Sequence, residues 1–300
     1  MEKRNKSRII LTLLLIILCL AVLAGLIWLG RNIYVRISDY GNSATIDKKP
    51  EEELPEEEIV LPEVDTEKIT IPLNVYSADG FFERNGLKRY YSAGIEGVPG
   101  IDVSSHQTQI DWESVKNAGV EFAMIRLGYR GYVSGELALD ECFAQNMEGA
   151  ASAGIPVGVY FFSQALNEEE AIEEAEFVLQ WVQEYDLQYP IMFDWEEVEA
   201  EARTDEMNMV LLTACTKAFC ETISEAGYDA GVYFNQAYGY LQLNLQSLEE
   251  YTFWLAEYRD VPEFAYAFQM WQYSCTGTVP GIEGPVDLNI AFRPKKMTDE

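Results

Sequence analysis

The chain has 300 residues, with 50 Asp/Glu against 21 Lys/Arg, a formal charge of −29 and one histidine. That length allows one large domain with extras. The charge excludes a nucleic-acid partner, which needs a basic face for phosphates. The lone histidine leaves no set from which a His-based zinc site could be built.

The charge is uneven. Residues 1–36 hold six Lys/Arg and one acid, a balance of +5; the remainder holds 15 and 49, a balance of −34. Ile9–Leu29 is apolar apart from Thr12. At about 1.5 Å per residue the run reaches roughly 30 Å, one bilayer core. Lys3, Arg4, Lys6 and Arg8 precede it and predict a cytoplasmic N-terminus with the body outside. A cleaved signal peptide would have a shorter apolar core followed by small residues. Here Ile27-Trp28-Leu29 carries the run past Val22-Leu23-Ala24. Residues 1–36 are therefore expected to be a basic tail and a single-pass anchor in the cell membrane.

Residues 37–66 include Glu51-Glu52-Glu53-Leu54-Pro55-Glu56-Glu57-Glu58. Like charges with proline stay solvated and extended, so this is an acidic stalk. Its cutting would give a released form. Residues 67–99 hold short β-like pieces around Asn85-Gly86, a hairpin turn signal, and are expected to be a β lead-in packed on the main domain. Cys142, Cys215, Cys220 and Cys275 lie on the exported side, where disulfides are permitted. The first three sit in apolar, helix-like stretches, and Cys215 and Cys220 are poorly spaced to bridge, so free thiols are expected.

From Gly100 onward strands alternate with helices. Strands are expected at Gly100–Ser104, Phe122–Leu127, Pro156–Ser163, Pro190–Glu196 and Asp229–Asn235. The helices between and after them are Asp111–Ala118, Leu139–Ala153, Asn167–Tyr185 and Asp205–Ala226. Gly119, Gly154 and Gly227 follow three of them as stops, and Asn167 with Glu170 has capping-box spacing. Thr252–Tyr258, Ala267–Ser274 and Val286–Phe292 then read as strands with no long helix between them. Five βα units followed by three β-strands predict an irregular TIM-like α/β barrel over 100–300. Apolar strands of this kind are compatible with parallel pairing buried on both faces, and chemistry in such barrels sits at the C-terminal strand ends.

The fourth strand ends in Phe193-Asp194-Trp195-Glu196. Strand side chains alternate faces, so Asp194 and Glu196 point the same way. Adjacent acids cannot both ionise cheaply, and one tends to keep its proton. One proton donor beside one anion is what glycoside cleavage needs. Asp102 at the end of the first strand and Asp287 on the last would join the same mouth. Tyr160, Tyr233, Trp254, Tyr258, Trp271 and Tyr273 would supply rings to stack on sugar faces. Singly, each feature is more often structural: an isolated D-x-E is common, and Trp271 or Tyr160 alone would be core. Their coincidence at one end of one barrel carries the reading. Competing chemistries lack parts: His106 would have to serve any Ser or Cys nucleophile, no G-x-S-x-G elbow exists, and no phosphate-binding Gly-rich loop occurs. No cofactor is implied.

Five ordered motifs resemble glycoside hydrolase family 25, the N-acetylmuramidase-type lysozymes. They are Gly100-Ile101-Asp102-Val103-Ser104-Ser105-His106-Gln107 with Ile110-Asp111-Trp112; Gly158-Val159-Tyr160-Phe161-Phe162; Phe193-Asp194-Trp195-Glu196; Trp254-Leu255-Ala256-Glu257-Tyr258; and Trp271-Gln272-Tyr273-Ser274 with Val279–Asn289. The resemblance covers roughly Gly100 to Arg293 and implies an irregular barrel of five βα and three β units. It implies cleavage of β-1,4 bonds in peptidoglycan glycan strands, with Glu196 as general acid. Asp194 would be nucleophile or orienting group for a substrate acetamido, with Asp102 and Asp287 completing the acidic floor. Arg126, in Arg126-Leu127-Gly128-Tyr129-Arg130-Gly131, stands where many relatives have a Lys-Ala-Thr run; with Tyr160, Tyr233, Tyr258 and Trp271 it makes the expected substrate-binding set. The competing reading is a catalytically inactive peptidoglycan-binding scaffold.

Overall fold

The structure is a computed structural model that describes residues 71–198 and 200–295. The apolar run Ile9–Leu29 and the acidic stalk lie outside the described residues. Among the described residues no helix is long and apolar enough to cross a membrane.

The chain enters as a meander. β1 (Phe81–Arg84) and β2 (Leu87–Ser92) pair through the two-residue turn Asn85-Gly86, with Arg84 opposite Leu87. Asn85 and Gly86 both take positive φ, 57° and 77°, the conformation a twist-matched hairpin turn requires. A second two-residue turn leads into β3 (Ile95–Val103), so the first barrel strand begins inside the expected lead-in.

Strand–helix units follow: α1 (Trp112–Ala118), β4 (Phe122–Arg130), the short β5 (Leu137–Leu139), α2 (Phe143–Ser152), β6 (Val157–Ser163) and α3 (Glu168–Val182). Then come β7 (Ile191–Trp195), α4 (Met209–Glu225), β8 (Ala230–Asn235) and the single-turn-and-a-half α5 (Gln236–Leu241). The chain closes with β9 (Thr252–Ala256), β10 (Met270–Gly277) and β11 (Val286–Pro294). The barrel order is β3-β4-β6-β7-β8-β9-β10-β11, with β11 returning to β3. Five βα units and three strands are thus present as expected.

Three departures stand out, two of them with local causes. α4 starts at Met209, not at Asp205, because Asn208 caps it, accepting from the amides of Val210 and Leu211 at 3.0 and 3.2 Å. α2 starts at Phe143, because Leu137–Leu139 pair instead with Gly128–Arg130 as the return arm of a hairpin. β11 runs antiparallel to both neighbours, β10 and β3, while the other barrel pairs are parallel.

The barrel is filled by Val98, Phe122, Met124, Met192, Met270 and Ala291, with Tyr233 and Trp254 toward the mouth. The filling is tight: a Cβ on Gly100 would run into the Phe122 ring. Outside, Ile125, Val159, Phe161, Phe193 and Phe234 join the helices in the larger core, with Val115, Phe143, Val178 and Phe219. Among the described residues no long helix covers β10 and β11. The lead-in takes that place: Tyr76 stacks on Phe292 at 3.7 Å, Phe81 meets Trp271 at 5.4 Å, and Tyr90 meets Phe292 at 5.5 Å. The Tyr76 hydroxyl donates to the Phe268 carbonyl at 2.6 Å. The four described cysteines are unpaired; Cys215 and Cys220 are buried and Cys275 is exposed.

Candidate active site

Strand register brings the acids together. Asp102 lies opposite Asp287 across β3–β11, and Asp194 lies between Phe162 on β6 and Tyr233 on β8. Glu196 follows β7 by one residue and shares the face of Asp194. Asp287 is at the start of its strand, yet it reaches the mouth where the other strands end, because β11 is reversed. All four carboxyls line one cleft of about 510 Å3.

Eight of the nine expected site residues line this cleft: the four acids with Arg126, Tyr160, Tyr233 and Tyr258. Trp271 does not. It is fully buried on the outer face of β10, edge-on to Phe81, and its indole donates to the Glu257 carbonyl at 2.8 Å. The period of two is the reason: Gln272 points inward, so Trp271 and Tyr273 point outward. The expectation that Trp271 is a sugar platform is therefore corrected. Exposed rings at the cleft are Tyr258 and Tyr132.

The cleft and the layer behind it also contain residues that a search for acids and aromatics passes over. Gln272 donates to Asp102 Oδ2 at 2.9 Å, and Asn289 donates to the same oxygen at 2.8 Å. Tyr233 and Tyr258 hydroxyls donate to Gln272 Oε1 at 3.0 and 2.9 Å. Trp254, His106, Phe162 and Cys275 are among the other residues of the lining. The only signal for Gln272 and Asn289 in sequence is their inward parity within the last motif.

Arg126 is held from behind. Its guanidinium meets Asp140 Oδ2 at 2.8 Å through Nε and at 2.7 Å through a terminal nitrogen, and donates to Ser105 Oγ at 3.1 Å. The Asp140 side chain has no solvent exposure. This fork anchors a cation at the rim of an otherwise acidic cleft.

Burial and mutual repulsion push all four acids toward the protonated form. Asp287 rises to about 8 through burial and the Asp102 charge. Asp194 is pushed well up by burial and then by Glu196 and Asp102. Glu196 is pushed up by burial and by Asp102. Asp102 rises by burial, opposed by hydrogen bonds from Asn289, Gln272 and Asp287. The group titrates as a unit. Asp194 Oδ1 is buried with no hydrogen-bond partner.

A barrel mouth with paired carboxyls two residues apart, both pushed toward the protonated form, has the parts glycoside hydrolysis needs. Residues 101–282 match the sequence profile of Glycosyl hydrolases family 25, and the chain belongs to that family. Lysozyme M1 of Streptomyces globisporus is 29% identical over 211 residues, 66% of this chain and 68% of that protein. The modular autolysin LytC of Streptococcus pneumoniae is similar in structure with a TM-score of 0.58 and 26% identity, over 70% of this chain and 52% of that one. This chain thus matches about half the length of that autolysin, which has also been solved with a synthetic peptidoglycan ligand. The bacterial lysozyme of Streptomyces coelicolor gives a TM-score of 0.53 at 27% identity, over 64% and 91%.

Proposed function

We propose that this protein is a peptidoglycan hydrolase of the N-acetylmuramidase type, cleaving β-1,4 bonds between N-acetylmuramic acid and N-acetylglucosamine. The observation that carries the reading is the Asp194–Glu196 pair in the acid-lined cleft, together with membership of a family that contains lysozymes. Glu196 is the general acid: it faces the open cleft, and burial with the Asp102 charge keeps its proton on. It protonates the glycosidic oxygen as the C1–O bond breaks.

Asp194 serves the other half of the reaction. Its unpartnered Oδ1 suits an incoming N–H donor, and a 2-acetamido group supplies one. In this path the acetamido oxygen attacks C1, and Asp194 steadies the positive charge that develops on the nitrogen. Water then opens the ring so formed, with Glu196 taking the water's proton. Two displacements leave the anomeric configuration retained. Tyr258 offers an exposed ring to a sugar face, and Arg126 a fixed cation to substrate oxygens.

A turbidity assay on purified cell walls tests the activity. Clearing by the protein is expected, and binding without clearing would make it a peptidoglycan-binding scaffold instead. Proton NMR of the first-formed product tests the course: net inversion would exclude the acetamido path.

We infer further that the protein is held at the cell membrane, N-terminus inside and barrel outside. The support is the apolar run Ile9–Leu29 behind four cations, followed by the acidic stalk. Tethering would direct the enzyme to the cell's own wall. Fractionation of intact cells tests this: recovery only in the medium would refute the anchor.

A further inference from the structure

The two amides behind the acids are not free to turn. The Trp254 indole N–H donates to Asn289 Oδ1 at 2.8 Å. An indole nitrogen can only donate, so Asn289 must give its oxygen to Trp254 and its NH2 to Asp102. Gln272 is held in the same sense, its oxygen taking the Tyr233 and Tyr258 hydroxyls. Its NH2 is thereby also left for Asp102. Trp254, Asn289, Gln272 and Asp102 are all buried, so water does not relax this constraint. Asp102 Oδ2 receives both amides, at 2.8 and 2.9 Å, and an oxygen that accepts twice from NH2 groups is the wrong place for a proton.

We propose that Trp254, Asn289 and Gln272 form a one-way chain of donors that fixes Asp102 as the anion of the Asp102–Asp287 pair, leaving the proton of that pair to Asp287. These three are positioning residues, acting through Asp102. The inference rests on the reading of Glu196 as general acid.

The consequence runs from Asp102 to its neighbours. Asp102 is faced by Asp287 on β11, by Asp194 and Glu196 at the end of β7, and by Tyr160, Tyr233 and Tyr258 from β6, β8 and the end of β9. Arg126 on β4 lines the same cleft and is already paired with Asp140, and Tyr132, His106 and Cys275 are the other titratable groups of the lining. Asp287 shares a hydrogen bond with Asp102 and is pushed up to about 8, so it carries the proton between them. Asp102 is also the one charged neighbour that raises Glu196. A proton on Asp102 would remove that influence and leave burial alone to hold up Glu196.

The test uses the full-length protein and two readouts. The first is the pH dependence of kcat/KM on suspended peptidoglycan, whose basic limb reports loss of the Glu196 proton. The second is the 13C titration of the Asp102 carboxyl, identified by its loss in Asp102→Asn. Asn289→Leu should move the basic limb down by about one pH unit and the Asp102 midpoint up by about as much. Trp254→Phe, which frees the Asn289 amide to turn, should shift both in the same directions by less. Gln272→Met should act like Asn289→Leu, and carries the test if the leucine variant does not fold. A fall in kcat with both the limb and the Asp102 midpoint in place would overturn the inference. An inactive wild type would refute the proposed function, and the 13C titration would still decide the donor chain.

Discussion

Asp287 stands directly opposite Asp102 across the β3–β11 pair, although one is the second residue of its strand and the other nearly the last of its own. The pairing exists because β11 is reversed. A parallel β11 would have placed Asp287 at the closed end of the barrel. The reversal delivers a fourth acid to the mouth, where it shares a hydrogen bond with Asp102 and adds to the repulsion that keeps protons in the cleft.

Glu196→Gln keeps the shape and removes the transferable proton. The expected loss of wall-clearing activity is about 10²–10⁴-fold, the usual worth of general acid help, with an unchanged circular dichroism spectrum. Clearing at near wild-type rate would assign the acid elsewhere. In the wild type, activity should fall as pH rises through the raised pKa of Glu196, because the ionised form cannot donate.

The raised pKa of Asp287 has a stability consequence. The unfolded value is about 3.9 and the folded value about 8. The folded state therefore binds more protons between them. Its contribution is intact below about pH 4 and is lost as pH rises toward 8. Asp287→Asn keeps a donor for Asp102 without this penalty. Its melting temperature should match wild type at pH 4 and exceed it at pH 7, by the equivalent of about 1–3 kcal/mol after allowance for partial exposure. Equal shifts at both pH values would contradict the proton assignment.

Arg126→Ala should destabilise by about 3 kcal/mol in urea unfolding, since it leaves the fully buried Asp140 carboxylate without its cation. The amides of Ser105 and Cys142, at 3.1 and 2.9 Å, soften but do not replace that pairing. Arg126→Lys keeps the charge but cannot reach Asp140 twice and Ser105 as well. It should unfold near the wild-type midpoint and lose several-fold in kcat/KM.

Tyr76→Ala removes the ring stacked on Phe292 and the hydroxyl bound to Phe268. A cost of about 2–3 kcal/mol is expected for this half-buried ring, with activity per folded molecule unchanged because Tyr76 lies on the far side of β11 from the cleft. An unaltered unfolding midpoint would show that the lead-in is not part of the folded unit.

Much of this architecture is legible in sequence because strands and helices alternate strongly between Gly100 and Asn235, and because Asp194 and Glu196 share parity. The reversal of β11 was not, since no residue in Val286–Pro294 records the direction of its neighbours. The role of Trp271 was misread because an aromatic strand with no following helix looks like a binding rim. In fact Tyr76, Phe81 and Tyr90 cover that face, and only the inward parity of Gln272 could have warned of it. The amides escaped notice because they do not titrate; their importance comes from what they touch.

The lead-in over β10 and β11 bears on where this catalytic module can be cut. The stretch matched by the family profile, 101–282, ends before β11 and begins after the hairpin. A chimera made at those borders would lose Asp287 and Asn289. It would also remove most of β3, leave β10 with a bare hydrogen-bonding edge and turn Trp271 and Phe268 toward water. A piece meant for transplantation into another protein must therefore carry Tyr76, the β1–β2 hairpin and β11 along with the barrel.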